Sequence, residues 1–307
     1  MTCPARLAMA TLVAVGLVTV APAAQEIFRG GIDVVLLNVS AVDARNHAVP
    51  GLNKESFQVF EDGILQDVAI FSKDAQPIAL SLLLDTSRSM EPRLAVAQEA
   101  AAAFIAHPKP GDIAQVINFD SRVLVAETFT SDHAALERAI RRTEAGGQTS
   151  LYDAVYIALD SLNRAPKPAP DAVRRQVIVL LSDGEDTSSH KDYDEVMALS
   201  KRSDVIVFAI AVKTNAEPVR PGWNEAEFVL RTLAQETGGR VFSVTDFSQL
   251  ASIYSQIADD LASQYTLGYR SKNQRRDGGW RRVVVQVPQG GVTARTKSGY
   301  FAPSKTR

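Results

Sequence analysis

Three short segments of the chain carry side chains suited to holding one hard cation: Asp85-Thr86-Ser87-Arg88-Ser89, Gly146-Gly147-Gln148-Thr149-Ser150 and Ser182-Asp183-Gly184. The candidate ligands are the carboxylates of Asp85 and Asp183 and the hydroxyls of Ser87, Ser89 and Thr149. No Cys or His stands among them. An all-oxygen donor set suits Mg²⁺, with Ca²⁺ or Mn²⁺ as alternatives, better than softer metals. Each segment has a plainer reading when taken alone. Asp-x-Ser-x-Ser is also a turn with an N-cap. Ser150-Leu151-Tyr152-Asp153 reads as a capping box with Asp in place of Glu, and Asp183-Gly184 is an ordinary turn. The combination favours the metal, because Asp85 and Asp183 each follow an apolar run, 78–84 and 177–181. Loops at the C-terminal ends of strands are where open α/β sheets bind ligands.

The elements that must position these groups are legible in the hydrophobic pattern. Apolar runs at 78–84, 114–119, 122–126, 177–181, 205–211 and 239–243 predict strands. Amphipathic stretches at 93–106, 134–141, 150–163, 193–202, 225–237 and 247–261 predict helices. Runs such as Val205-Ile206-Val207-Phe208-Ala209-Ile210 are apolar on both faces, as strands covered by helices on both sides require. Strand–helix alternation of this kind predicts a doubly wound, mostly parallel α/β sheet over 77–264. The run 122–126 follows its neighbour after only Asp120-Ser121, too short for a crossover, so it reads as an antiparallel edge strand.

Both flanks look β-rich. In 25–76, strand-like runs occur at 32–42, 57–60 and 68–71, and Asp62-Gly63 between the last two signals a hairpin with a longer loop or bulge. In 265–307 they occur at 265–269, 281–287 and 292–301. Each flank is marginal for a core of its own without disulfides. The expectation is one small β-rich domain shared by the flanks, with 77–264 inserted. Two independent appendages, or a C-terminal hairpin added to the main sheet, are the rival pictures.

Asp85, Ser87 and Ser89, then Thr149, then Asp183, match without substitution the metal-ion-dependent adhesion site of the von Willebrand factor type A (VWA) domain, which the chain resembles over roughly 78–261. The resemblance implies a Rossmann-like sheet and a metal with one position open to an Asp or Glu carboxylate of a protein partner. Thr149 and Asp183 then bind directly or through water. Val49-Pro50-Gly51-Leu52, the stretch Phe57 to Gly63, and Gly299-Tyr300-Phe301-Ala302-Pro303 are similar to a bacterial family of exported VWA-related proteins.

The N-terminus agrees with export. Arg6 is the only charge before Glu26, Leu7 to Val20 is nearly unbroken apolar sequence, and Ala21-Pro22-Ala23 offers a cleavage pattern. Residues 1–24 therefore read as a signal peptide, and the mature protein as periplasmic or extracellular. Retention of this stretch as an anchor is the alternative. The single cysteine, Cys3, lies inside it. The chain has 33 basic and 35 acidic residues, net −2. Within 265–307 there are ten Lys/Arg against one acid, Asp277, a net +9. That segment fits either an anionic envelope polymer or membrane, or docking on the acidic body of the same chain. No nucleic-acid-binding module is recognisable.

A metal with an open position also activates water when a base stands nearby. The histidines are His47, His107, His133 and His190, and no His-Glu-x-x-His, Gly-x-Ser-x-Gly or phosphate-binding loop occurs. The expected function is therefore partner binding and not catalysis. An assembly subunit of an envelope complex is the alternative, and a hydrolase using His190 with Glu185 and Asp186 a more distant one. Partner selectivity then belongs to the rim segments 88–92, 120–122, 184–192 and 215–224, the last carrying Trp223.

Overall fold

The computed structural model describes residues 34–106, 108–167, 174–213 and 225–304. The expected signal peptide, His107, the Trp223 loop and part of the proline-rich 164–171 loop lie outside the described residues.

The N-terminal flank forms β1 (Val34–Val42), β2 (Gln58–Glu61), β3 (Ile64–Gln66) and β4 (Val68–Ser72). The central region follows as β5 (Ile78–Asp85), α1 (Leu94–Ile105), β6 (Ile113–Phe119), β7 (Val123–Thr130), α2 (His133–Arg141), α3 (Leu151–Asn163), β8 (Arg175–Ser182), α4 (Tyr193–Arg202), β9 (Ile206–Val212), α5 (Glu225–Thr237), β10 (Arg240–Val244) and α6 (Leu250–Ala262). The C-terminal flank adds β11 (Tyr265–Arg270), β12 (Trp280–Gln286), β13 (Thr293–Arg295) and β14 (Gly299–Phe301).

The central sheet has the order β10-β9-β8-β5-β6-β7. Its strands are parallel except for β7, which pairs antiparallel with β6 at the edge. The alternation along β5 shows why both faces are apolar. Leu80, Leu82 and Leu84 enter the core under α1, α2 and α6, while Ala79 and Leu83 enter the core under α3, α4 and α5. Ser81, fully buried between them, is satisfied by Gln115 Nε2 at 2.6 Å. The buried hydroxyl of Tyr254 lacks such a partner. Tyr254 of α6 is 1 % exposed and stacks on Phe104 with ring centroids 4.9 Å apart. Its hydroxyl has no hydrogen-bond partner among the described residues. Because an unsatisfied buried hydroxyl costs about 1–3 kcal/mol, Tyr254→Phe is expected to raise stability by about 1 kcal/mol in urea titration. A loss of stability instead points to an ordered water on the hydroxyl.

The two flanks pair with each other. β1 and β4 both flank β11, and β13 adds to β1. β12 lies between β2 and β14, with β3 outside β2. The two four-stranded sheets enclose one core that includes Leu37, Val39, Phe57, Val59, Tyr265, Leu267 and Val285. Glu61 of β2 locks the arrangement. Its buried carboxylate accepts the hydroxyls of Tyr269 and Tyr300, each at 2.9 Å, and of Ser271 at 2.5 Å, all from the other flank. One sequence expectation needs correction here. Asp62-Gly63 closes a two-residue hairpin directly between β2 and β3. Asp62 (φ 49°) and Gly63 (φ 82°) both take positive φ, the geometry that keeps a two-residue turn in step with strand twist. The run at 68–71 pairs instead with β11, in the other sheet.

The described residues cluster as one compact unit, and the contacts joining flanks to central sheet lie at the end where the parallel strands begin. The key residue is Arg175, first in β8 and 3 % exposed. Its guanidinium donates to Asn38 Oδ1 (3.1 Å), Leu261 O (3.1 Å), Gln264 O (3.3 Å) and Thr266 Oγ1 (3.2 Å). Arg295 pairs with Asp260 at 2.5 Å and Lys297 with Asp204 at 2.6 Å. Part of the basic charge of the C-terminal flank is thus spent on acids of the same chain.

Candidate metal centre

Asp85 ends β5 and Ser182 ends β8, neighbouring parallel strands in register up to Leu84 and Leu181. Both therefore emerge at the same edge of the sheet. Ser182 Oγ donates to Asp85 Oδ2 at 2.7 Å, and Ser87 N donates to Asp85 Oδ1 at 2.9 Å. A relay then crosses the site. Ser87 Oγ lies 3.0 Å from Ser89 Oγ, and Ser89 Oγ donates to Asp183 Oδ2 at 2.7 Å. Four of the five proposed ligands are joined by these contacts.

Thr149, the fifth, arrives on a loop pinned to both of the others. Gly146 N donates to Thr86 O (2.7 Å) and Arg88 N to Gly147 O (3.3 Å). Gly147 has φ +70°, and a Cβ there would lie 2.6 Å from Ser121 Oγ, so only glycine fits. On the other side, Thr187 N and Ser188 N donate to Thr149 O at 2.9 and 3.0 Å, and Thr149 N donates to Thr187 Oγ1 at 3.0 Å. The Thr149 hydroxyl itself has no hydrogen-bond partner among the described residues.

The start of α3 corrects a second expectation. Ser150 is the N-cap but makes no side-chain cap bond; its hydroxyl pairs with Ser188 Oγ at 2.9 Å. The caps come from the loop after β8. Asp186 Oδ1 accepts from Tyr152 N (3.1 Å) and Ser189 Oγ accepts from Asp153 N (3.0 Å). Asp153 in turn accepts from His190 N (3.1 Å) and Lys191 N (2.8 Å). Sequence spacing cannot reveal this exchange, because the partners stand more than thirty residues apart. His190 Nδ1 lies 3.1 Å from Asp153 Oδ2, which ties the imidazole to α3 and gives it no contact with Asp183.

The electrostatics are unusual at one point. Asp85 is 1 % exposed, and no cationic side chain pairs with it among the described residues. Burial pushes its carboxyl up to about 6, against the pull of Ser182 and Ser87, and Asp183 pushes in the same direction. A buried carboxylate held next to a second carboxylate is a site lacking its counter-charge. The donor set fits a hard dication: two carboxylates, three hydroxyls and no sulfur or imidazole. Among the described residues no group of three or more His, Cys, Asp or Glu stands together in a way that could hold a metal, so a cation here depends on the hydroxyls.

Comparison with known proteins agrees with this architecture. The sequence profile of the von Willebrand factor type A domain matches residues 80–256, more than half of the chain. The chain belongs to the VWA family. A UPF0353 protein of Mycolicibacterium paratuberculosis is 24 % identical over 223 residues, covering 67 % of this chain and 66 % of that one. The calcium-activated chloride channel regulator 1 of Bos taurus is 28 % identical over 201 residues, covering 62 % of this chain and 20 % of that protein. The chain thus spans just under two thirds of the bacterial relative's length. Among solved structures, a von Willebrand factor type A protein from Catenulispora acidiphila superposes with a TM-score of 0.51 at 14 % identity, covering 89 % of this chain and 74 % of that one. The shared VWA fold includes the mostly parallel sheet whose strand ends carry Asp85 and Asp183.

Proposed function

We propose that this VWA protein is an exported binding module that takes a protein partner through a divalent cation, held by Asp85, Ser87, Ser89, Thr149 and Asp183. The observation that carries the reading is the convergence of Ser87, Ser89 and Asp183 beside the buried, uncompensated carboxylate of Asp85. Asp85 and Asp183 supply the two negative charges, and the neutral hydroxyls leave the ion electrophilic. A bound Mg²⁺, or Ca²⁺ or Mn²⁺, supplies a coordination position for an Asp or Glu carboxylate of the partner. Ser182 fixes the Asp85 carboxylate, and the bonds from Thr149 to Thr187 and Ser188 hold two ligand-bearing loops together before any ion arrives.

Binding is favoured over hydrolysis because His190, the histidine on the loop after Asp183, is engaged by Asp153. The paired flanks serve as one β-rich base at the edge opposite the metal centre. Export rests on the character of residues 1–24; among the described residues no helix is long and apolar enough to cross a membrane. Isothermal titration of the metal-free protein with Mg²⁺ and Mn²⁺ tests the assignment. We expect saturable one-site binding in the wild type and none in Asp85→Ala or Asp183→Ala, with circular dichroism unchanged. Equal affinity in wild type and variants overturns it.

A further inference from the structure

The rim of the metal centre carries two exposed arginines that the five ligands do not require. Arg88 stands between Ser87 and Ser89, and Arg122 follows the Asp120-Ser121 turn between β6 and β7. Neither guanidinium makes a hydrogen bond or ion pair among the described residues, whereas their backbones are well fixed. Arg88 N donates to Gly147 O (3.3 Å), and Arg122 N donates to Asp120 Oδ1 (2.8 Å). Gln148 N donates to Ser121 Oγ (2.8 Å). The two arginines therefore flank one loop, Gly146-Gly147, which leads into Thr149. The loop after Asp183 has the opposite character: Glu185 is exposed, and Asp186 is already occupied by Tyr152 and Ser189.

A fixed positive charge beside a dication site weakens cation binding by repulsion, so these arginines do not serve the metal. Free guanidiniums present planar, two-pronged donor sets that match carboxylates. Resting on the metal reading above, we propose that Arg88 and Arg122 make this rim a receptor for an acidic peptide segment with at least two carboxylates. One carboxylate faces the metal centre. The next meets a guanidinium on the Gly147 side, and the Glu185 side repels it. The unlike charges on the two sides fix the direction in which the segment lies across the site.

The test uses the full chain in millimolar Mg²⁺ with two labelled Gly/Ser-rich peptides, one carrying a single Glu and one carrying that Glu followed by two Asp residues. Fluorescence anisotropy is expected to show the multiply acidic peptide binding about tenfold tighter, the gain expected of two exposed ion pairs. In the double variant Arg88→Ala, Arg122→Ala the ratio falls to about one. Mg²⁺ affinity by calorimetry stays the same or tightens in that variant, because two positive charges are gone. Equal binding of the two peptides by the wild type, a ratio that survives in the variant, or no binding of either peptide overturns the proposal. Inorganic polyphosphate displacing the peptide with equal potency in chelator also overturns it, in favour of a general polyanion surface. Failure of the metal reading is seen separately, as absence of Mg²⁺ binding heat in the wild type.

Discussion

Metal-free Asp85→Asn is expected to be more stable than the wild type at pH 7.5, by about 1–3 kcal/mol. Burial lifts the Asp85 carboxyl from 3.8 to about 6, and each unit corresponds to about 1.4 kcal/mol. The sign follows from linkage. A carboxyl whose folded pKa lies above its unfolded value keeps its proton in the folded state between about pH 4 and 6, where the unfolded chain has already lost it. Stability therefore falls as pH rises through that window and stays low above it. Asparagine is neutral at every pH, keeps one oxygen for Ser87 N, and presents its amide to Ser182 Oγ. The advantage should shrink to about a third at pH 4.5 and vanish only below about pH 3.8, where the unfolded carboxyl is protonated as well. Saturating Mg²⁺ should raise the wild-type midpoint, since a ligand that binds only the folded state stabilises it, and leave Asp85→Asn unmoved. Denaturant titrations in chelator and in Mg²⁺ at both pH values decide this. A variant less stable than the wild type at pH 7.5 without metal means that Asp85 has a compensating partner.

Arg175→Met is expected to destabilise the protein by about 3–5 kcal/mol while leaving Mg²⁺ binding intact. The guanidinium reaches four acceptors: the side chain of Asn38 in β1, the carbonyl of Leu261 in the last turn of α6, the carbonyl of Gln264 in the link that follows, and Thr266 in β11. Desolvation lowers its pKa to about 10, so it remains charged at neutral pH. Methionine fills similar volume but strands the acceptors, and each buried unsatisfied group costs about 1–3 kcal/mol. The Leu261 carbonyl lies in the last turn of α6, where negative partial charge accumulates, so a cation is favoured there over a neutral donor. Arg175→Lys should recover only part of the loss, because an ammonium on a flexible stem cannot reproduce the planar fork. Urea titration gives the stability change and calorimetry the metal affinity. A loss below about 1 kcal/mol means that water takes over the acceptors, and a parallel loss of Mg²⁺ affinity means that the two ends of the sheet are coupled.

The sequence alone determined the central sheet, its edge strand and the identity of the five candidate ligands. The reason is local. Strands buried on both faces must be continuous apolar runs, helices between them must show a 3.6-residue stripe, and the residue after each run must leave the sheet at its C-terminal edge. Periodicity therefore puts Asp85 and Asp183 at that edge. The charge asymmetry of the C-terminal segment was also legible, but Asp260 and Asp204 as partners of Arg295 and Lys297 were not. Tertiary structure decided what depends on residues far apart in the chain. The tight Asp62-Gly63 hairpin left the run at 68–71 to pair with β11, because strand partners are chosen by the shared core and not by sequence order. The cap of α3 passed from Ser150 to Asp186 and Ser189, because the loop after β8 reaches those backbone amides. Only the fold surrounds Arg175 with four oxygens, and burial, with Asp183 beside it, makes Asp85 a carboxylate that lacks a counter-charge.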